Sequence, residues 1–312
     1  MYQPSPGLKL DNGRFDNGPV INALLVAGER INLGGGTAYI SSEILWEQEW
    51  RTIENGTLRW NGPPSGVMIR YRGSAGRLQQ VLLRGGKTTD DRAGYGIWTE
   101  FERGYPTSTL HCDQVQFETI EHGVFASATP VSHHTGNNYF ADVSFRGVRF
   151  PVWSENDQFC PNYFYKVELR TGFEQAFTFK AGGGLRVYGA YVGGTDGATL
   201  LWLPDRTQAN SGTFEIDGLH VDGTNKNLTL VSHGDVAHRV RISGNVNKGG
   251  LSATPVMQRA SPSRYANIEI DCMHCHWPVP AKTECETLSF ASAQWPVHAH
   301  GTRADAASGW PR

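Results

Sequence analysis

Residues 214 to 221 read Phe214-Glu215-Ile216-Asp217-Gly218-Leu219-His220-Val221: apolar and polar side chains alternate, a glycine interrupts, and the alternation resumes. Alternation of period two is the pattern of a strand with one buried face, so Phe214 and Ile216 point inward and Glu215 and Asp217 outward. Gly218 marks a sharp corner, where a positive φ penalises any Cβ. The phrase apolar-x-apolar-x-Gly recurs at Val81 to Gly85, Val143 to Gly147, Leu185 to Gly189 and Val240 to Gly244. Looser copies stand at Val115-x-Phe117, at Val167-x-Leu169 with its glycine displaced to Gly172, and at Ile268-x-Ile270, where Cys272 takes the glycine place. Successive copies start 34, 28, 24, 18, 29, 26 and 28 residues apart. Strands joined by a one-residue corner, repeating about every 27 residues, are the coils of a solenoid. The predicted fold is therefore all-β: a single-stranded parallel β-helix of about nine or ten coils, right-handed by the rule for parallel crossovers.

The outward residues give an independent check. If the phrases stack in one register, their second residues form a column that reads, from the fourth coil, Glu168, Arg186, Glu215, Arg241, Glu269. Such alternation of sign keeps like charges apart on neighbouring strands, which assigns these side chains to a structural ladder rather than to chemistry.

Composition narrows the function. Glycine is abundant at 37 residues and charged residues make up only 19% of the chain, which suits strands and corners. A net charge of −2 with signs mixed throughout offers no footprint for nucleic acid and no basic face for membranes. No run of about 18 apolar residues predicts membrane insertion, and residues 1 to 18 lack the basic and apolar regions of a secretory signal. Five cysteines, an odd number scattered at 112, 160, 272, 275 and 285, do not form a disulfide framework, and reduced thiols are expected.

Three segments are predicted. Residues 1–18 are an arm rich in Pro, Gly, Asn and Asp; residues 19–272 are the β-helix; residues 273–312 lose the alternation and carry Trp277-Pro278, Trp295-Pro296 and Trp310-Pro311, as expected of a cap or an arm on a neighbouring subunit. Pro19 to Ala27 forms a short helix whose Ile21, Leu24 and Leu25 share a face and cover the open end of the solenoid. Ile31-x-Leu33, the Gly34-Gly35-Gly36 corner, Ala38-Tyr39-Ile40 and Ile44-Leu45 make the first coil, and Ile53 to Leu58 begin the second.

This opening resembles the pectate-lyase-like domain of bacteriophage tailspikes and related polysaccharide-degrading enzymes, through Ile31, Leu33, Gly35, Gly36, Thr37, Tyr39, Ile40 and Ser41, then Ile53, Asn55 and Gly56. The resemblance implies a homotrimeric tail-spike or minor tail protein. Its partners would be other virion tail or head proteins, met through the terminal arms, and a host cell-surface polysaccharide. It implies a virion location, no cofactor, and either glycan binding alone or glycan cleavage as well; lyases, hydrolases and non-catalytic spikes share this architecture.

Glycan cleavage needs carboxylates close together on one outer face. Asp217, His220 and Asp222 lie outward on one coil and are the catalytic candidates. Thr195-Asp196-Gly197, Ser232-His233-Gly234 and Arg241-Ile242 resemble polygalacturonase motifs, but the Asn, the paired Asp-Asp and the Lys of those motifs are missing. A second acidic region holds Asp90, Asp91, Asp113, Glu118, Glu121 and His122. Tyr95, Trp98, Tyr105, Trp153 and Trp202 are the candidates for stacking on sugar rings; Phe101, Tyr163, Phe164 and Tyr165 lie nearby. The same aromatics suit a packed loop or a subunit interface equally well. Cys272-Met273-His274-Cys275-His276 matches C-x-x-C-H, a haem-attachment pattern, and Cys272, Cys275 and His276 with Cys285, His298 or His300 have the chemistry of metal ligands. The repeat gives a plainer account, in which Cys272 fills a corner.

Overall fold

The computed structural model describes residues 3–88, 91–100, 109–128, 136–204, 212–222, 224–234, 239–246, 251–252, 256–258, 267–273 and 297–300, the last three stretches as backbone path. The chain is a parallel β-solenoid. Helix α1 (Gly18–Ala27) precedes β1 (Ile31–Asn32), β2 (Thr37–Ile40) and β3 (Ile44–Trp46), which form the first coil. Next come β4 (Thr52–Trp60) with β5 (Val67–Tyr71), β6 (Gly76–Arg84) with β7 (Ala93–Thr99), β8 (Leu110–Asp113) with β9 (Gln116–Ala126), and β10 (Asn138–Ser154), which makes a coil by itself. Then follow β11 (Asn162–Arg170) with β12 (Gln175–Phe179), β13 (Leu185–Gly193) with β14 (Thr199–Leu203), β15 (Thr213–Val221) with β16 (Thr229–His233), and β17 (Arg239–Val246) with β18 (Val256–Gln258). Strands β19 (Asn267–Met273) and β20 (Val297–His300) add two further rungs.

Each coil has three faces, and each face stacks in parallel register on the coils before and after it. The interior of the first face is one continuous column: Ile31, Ile53, Leu78, Cys112, Phe140, Phe164, Val187, Ile216 and Ile242. None is more than 1% exposed. Phe140 and Phe164 stack with ring centroids 4.4 Å apart, because in-register neighbours lie one strand spacing apart. Cys112 is thus a core side chain, and burial pushes its thiol pKa up, so it is not a reactive thiolate.

Between the first and second faces runs a column of left-handed corners: Asn55 (φ 56°), Gln80 (54°), Gln114 (54°), Asp142 (54°), Lys166 (56°), Gly189 (80°) and Gly218 (71°). The glycine phrase marks this corner only in the later coils. At β13 and β15 the phrase precedes the corner, whereas at β6, β10 and β11 it follows it, so Val167 is opposite Ala190 and Asn162 is opposite Leu185. The predicted register slips at this point, and the anomalous spacing of 18 residues is its trace. Arg186, Glu215, Arg241 and Glu269 do form one column. Glu168 does not belong to it; it lies opposite Ser144 and Tyr191 on the second face and pairs with Arg170 at 2.9 Å. The column instead runs back through Tyr163, Tyr139, His111 and Arg77, whose three rings stack at 5.0 and 5.1 Å.

At the amino-terminal end Ile21 and Leu25 of α1 are fully buried, with Leu24 packed against the same core. Residues 3–17 lie along the first coil, held by backbone bonds from Ser5 N to Asn32 O, Asp11 N to Thr37 O and Asn17 N to Tyr39 O. Leu8 and Leu10 pack against the core. Among the described residues no helix is long and apolar enough to cross a membrane.

Candidate functional site

The outward side of the third face gathers four of the five predicted aromatic candidates; Tyr105 lies outside the described residues. Register sets Trp98, Phe125 and Trp153 in one column, with Trp202 two rungs beyond Trp153 across Thr178. Tyr95, His122 and Phe150 form the neighbouring column. Tyr95 stacks on His122 and His122 on Phe150, each at 4.9 Å. Trp98 meets Phe125 edge-on at 4.9 Å and Tyr95 at 4.5 Å. Trp153 meets His122 edge-on at 5.4 Å and faces Trp202 at 5.9 Å. Phe125 and Phe150 escaped the sequence reading and His122 entered it only as part of the second acidic region, although the runs 95, 122, 150 and 98, 125, 153 both step by 27 and 28 residues, the coil repeat.

Charges rim this flank. Arg70 sits over Trp98 (4.9 Å), Arg149 over Phe150 (5.0 Å) and Lys180 over Trp153 (4.6 Å). Glu121 joins Arg92 (3.2 Å) and Arg149 (2.8 Å). Glu155 accepts from Lys180 Nζ (2.9 Å) and Trp153 Nε1 (3.1 Å). Burial works against ionisation of Glu155, but those two bonds outweigh it and hold the carboxyl below its usual range. Burial lowers the His122 pKa, so the ring is neutral near pH 7. Burial, with Glu155 and Glu121 nearby, raises the Tyr95 pKa. The result is an amphipathic surface of half-buried rings edged by fixed carboxylates and cations.

The acidic trio is spread around the coil. Asp217 lies outward on the first face and accepts a hydrogen bond from Ser243 Oγ. His220 follows the Gly218 corner, on the second face, and stacks on Tyr191 at 5.6 Å. Asp222 stands past the end of β15, where it accepts from Tyr191 Oη (2.7 Å) and from the backbone N–H of Thr224 (3.2 Å). His220 and Asp222 are therefore both tied to Tyr191, while Asp217 faces elsewhere.

Of the polygalacturonase-like positions, Ser232 and His233 are buried, 1% and 3% exposed, and Thr195 donates to Asn225 Oδ1 inside a loop. In the second acidic region Asp113 meets Arg77 (3.6 Å) and Glu118 meets Arg84 (2.6 Å), which makes both part of cross-strand ion pairs. Asp90 lies outside the described residues. Cys272 lies opposite Gly244 in β19, while Cys275, His276 and Cys285 lie outside the described residues. Comparison of the chain with protein-family models, with curated proteins and with solved structures gives no match.

Proposed function

We propose that this protein is a β-helical virion spike, trimeric and of the tailspike kind, whose third-face aromatic flank binds a polysaccharide of the host cell surface. One observation carries the reading: Tyr95, Trp98, Trp153 and Trp202, far apart in sequence, meet on one face and are rimmed by Glu121, Glu155, Arg149 and Lys180. Aromatic surface supplies apolar area to the C–H faces of sugar rings, and charged groups held in ion pairs supply hydrogen bonds at fixed positions without further ordering. The spread of Asp217, His220 and Asp222 favours binding over cleavage by that trio.

The test is a panel of purified bacterial surface polysaccharides presented to the intact protein. The account expects saturable binding to at least one of them, weakened about tenfold or more by Trp153→Ala and by Trp202→Ala, since truncating a central aromatic anchor costs more than about 1 kcal/mol. Chromatography of the incubated glycan would reveal shortened chains if the protein also cleaves. A second reading, in which the flank packs against another subunit, is favoured by the way its rings contact one another. Light scattering separates the two, because an interface would lose its trimer when Trp153 and Trp202 are truncated.

A further inference from the structure

The vertex of the solenoid opposite the aromatic flank carries a second surface. Along the column of left-handed corners a groove of about 690 Å³ is lined by Thr57, Leu82, Gln80, Gln114, Gln116, Asp142, Ser144 and Glu168. It crosses five successive rungs, from β4 to β11, so four strand spacings give it a length of about 19 Å. Gln80 Nε2 donates to Gln114 Oε1 at 2.9 Å, which begins an amide ladder along the groove. Asp142 and Gln116 are exposed and Ser144 half-buried, and among the described residues their side chains make no hydrogen bond or ion pair. The nearby pairs Arg77–Asp113, Arg84–Glu118 and Arg170–Glu168 are engaged, whereas these three side chains are not.

The neighbouring outward column of the first face has a gap beside this groove. It reads Asp113, Ala141, Tyr165, Tyr188, Asp217. Tyr165 and Tyr188 stack at 5.3 Å with planes 19° apart, so their rings lie across the solenoid axis. The other face of Tyr165 looks toward the preceding rung, where its register partner is the small Ala141. Tyr165 is 42% exposed, among the most exposed large rings described. The gap is bounded by Tyr165 on one side and Asp113 on the other, and Ala141 and Asp113 directly precede Asp142 and Gln114 of the groove in the chain.

We propose that the corner groove and the Tyr165 gap together form a carbohydrate-binding site, separate from the aromatic flank and selective for neutral chains. A pyranose ring would take the missing place in the stack, with its C–H face on Tyr165. Ring hydroxyls would be accepted by Asp142 and by Asp113, and the amides and the Ser144 hydroxyl would hold the continuing chain. Asp113 and Glu168 are engaged with Arg77 and Arg170, and Asp142 stands beside Lys166 at the next corner, so the charges of the site balance and leave no surplus cation for a uronate chain.

Saturation-transfer NMR on the intact protein with neutral hexasaccharides (cellohexaose, maltohexaose, mannohexaose) and with hexagalacturonate tests the proposal. Transfer to at least one neutral hexamer is expected. It should fall about tenfold in Tyr165→Ala and in Ala141→Trp, which fills the gap by extending an existing stack. Thermal melts confirm that each variant folds; if Ala141→Trp does not, Tyr165→Ala decides. Absence of transfer to every neutral hexamer overturns the proposal. So does preferential binding of hexagalacturonate, or binding that survives Tyr165→Ala. Loss of transfer in Trp153→Ala alone would return the site to the flank, and loss of flank binding with transfer retained at the corner would count against the proposed function only.

Discussion

The aromatic flank and the corner groove lie on opposite sides of the same coils and use opposite chemistry. On the flank, side chains have turned to one another: His122 is sandwiched between Tyr95 and Phe150, and each rim charge has a partner. Along the groove, Gln116, Asp142 and Ser144 remain open to solvent and to ligand. The difference follows from strand geometry. Equivalent side chains on neighbouring strands lie about 4.8 Å apart, so the large rings of the flank come into contact and stack, whereas Gln116 and Ser144, opposite one another on β9 and β10, form no side-chain bond.

Five substitutions probe that contrast, in descending order of expected effect. Phe140→Ala empties a fully buried place in the interior column shared by both surfaces and should cost about 3–5 kcal/mol, read by urea unfolding. Damage to one surface alone would mean that the column does not support both. Gly218→Ala puts a Cβ on a residue at φ 71°, where the space is adequate but the conformation is not, and should cost about 1–2 kcal/mol. Lys166→Gly, at φ 56° in the same column, should instead stabilise by a fraction of that amount; equal signs for the two would contradict the assignment of both to one corner.

Acidification should act on the flank in preference to the corner. Burial lowers the pKa of His122, and also those of His233 and His111, so the unfolded chain binds more protons below its ordinary histidine pKa of about 6.5. Stability contributed by neutral His122 is therefore complete above that pH and is lost as the pH falls toward the lowered folded value. Glu121, Glu155, Arg149 and Tyr95 surround the ring, and its two carboxylates soften the effect. Melting temperatures at pH 7.5 and 5.5 should differ less in His122→Phe than in the parent protein, and an unchanged difference would remove His122 from this role. The smallest effect is expected at Glu215, which lies 4.0 Å from Arg186 and 3.7 Å from Arg241. Glu215→Gln should cost no more than about 1 kcal/mol and leave both surfaces intact.

The repeat was legible in the sequence because alternation and glycine corners are local signals, and the helix over α1 and the first coil followed from them. Register was less so. Apolar-x-apolar-x-Gly reads the same before and after a left-handed corner, since both adjoining faces alternate, and the earlier corners are occupied by Asn55, Gln80, Gln114, Asp142 and Lys166, which no glycine pattern reveals. That ambiguity placed Glu168 in a column it does not occupy. The flank was half legible: Tyr95, Trp98, Trp153 and Trp202 drew notice as aromatics, whereas His122, Phe125 and Phe150 are identified by their coil-length spacing. The corner groove was invisible because its distinguishing feature is an absence, the small side chain of Ala141 beneath the Tyr165 ring, which only the strand pairing exposes.

The most direct test of the flank as a polysaccharide-binding surface is a tryptophan-fluorescence titration of the intact protein with a surface polysaccharide selected from the panel. A saturable change in emission that is lost in the Trp153→Ala/Trp202→Ala double variant and kept in Tyr165→Ala is the predicted result. Binding by the double variant with undiminished affinity, measured by calorimetry on the same glycan, would contradict it.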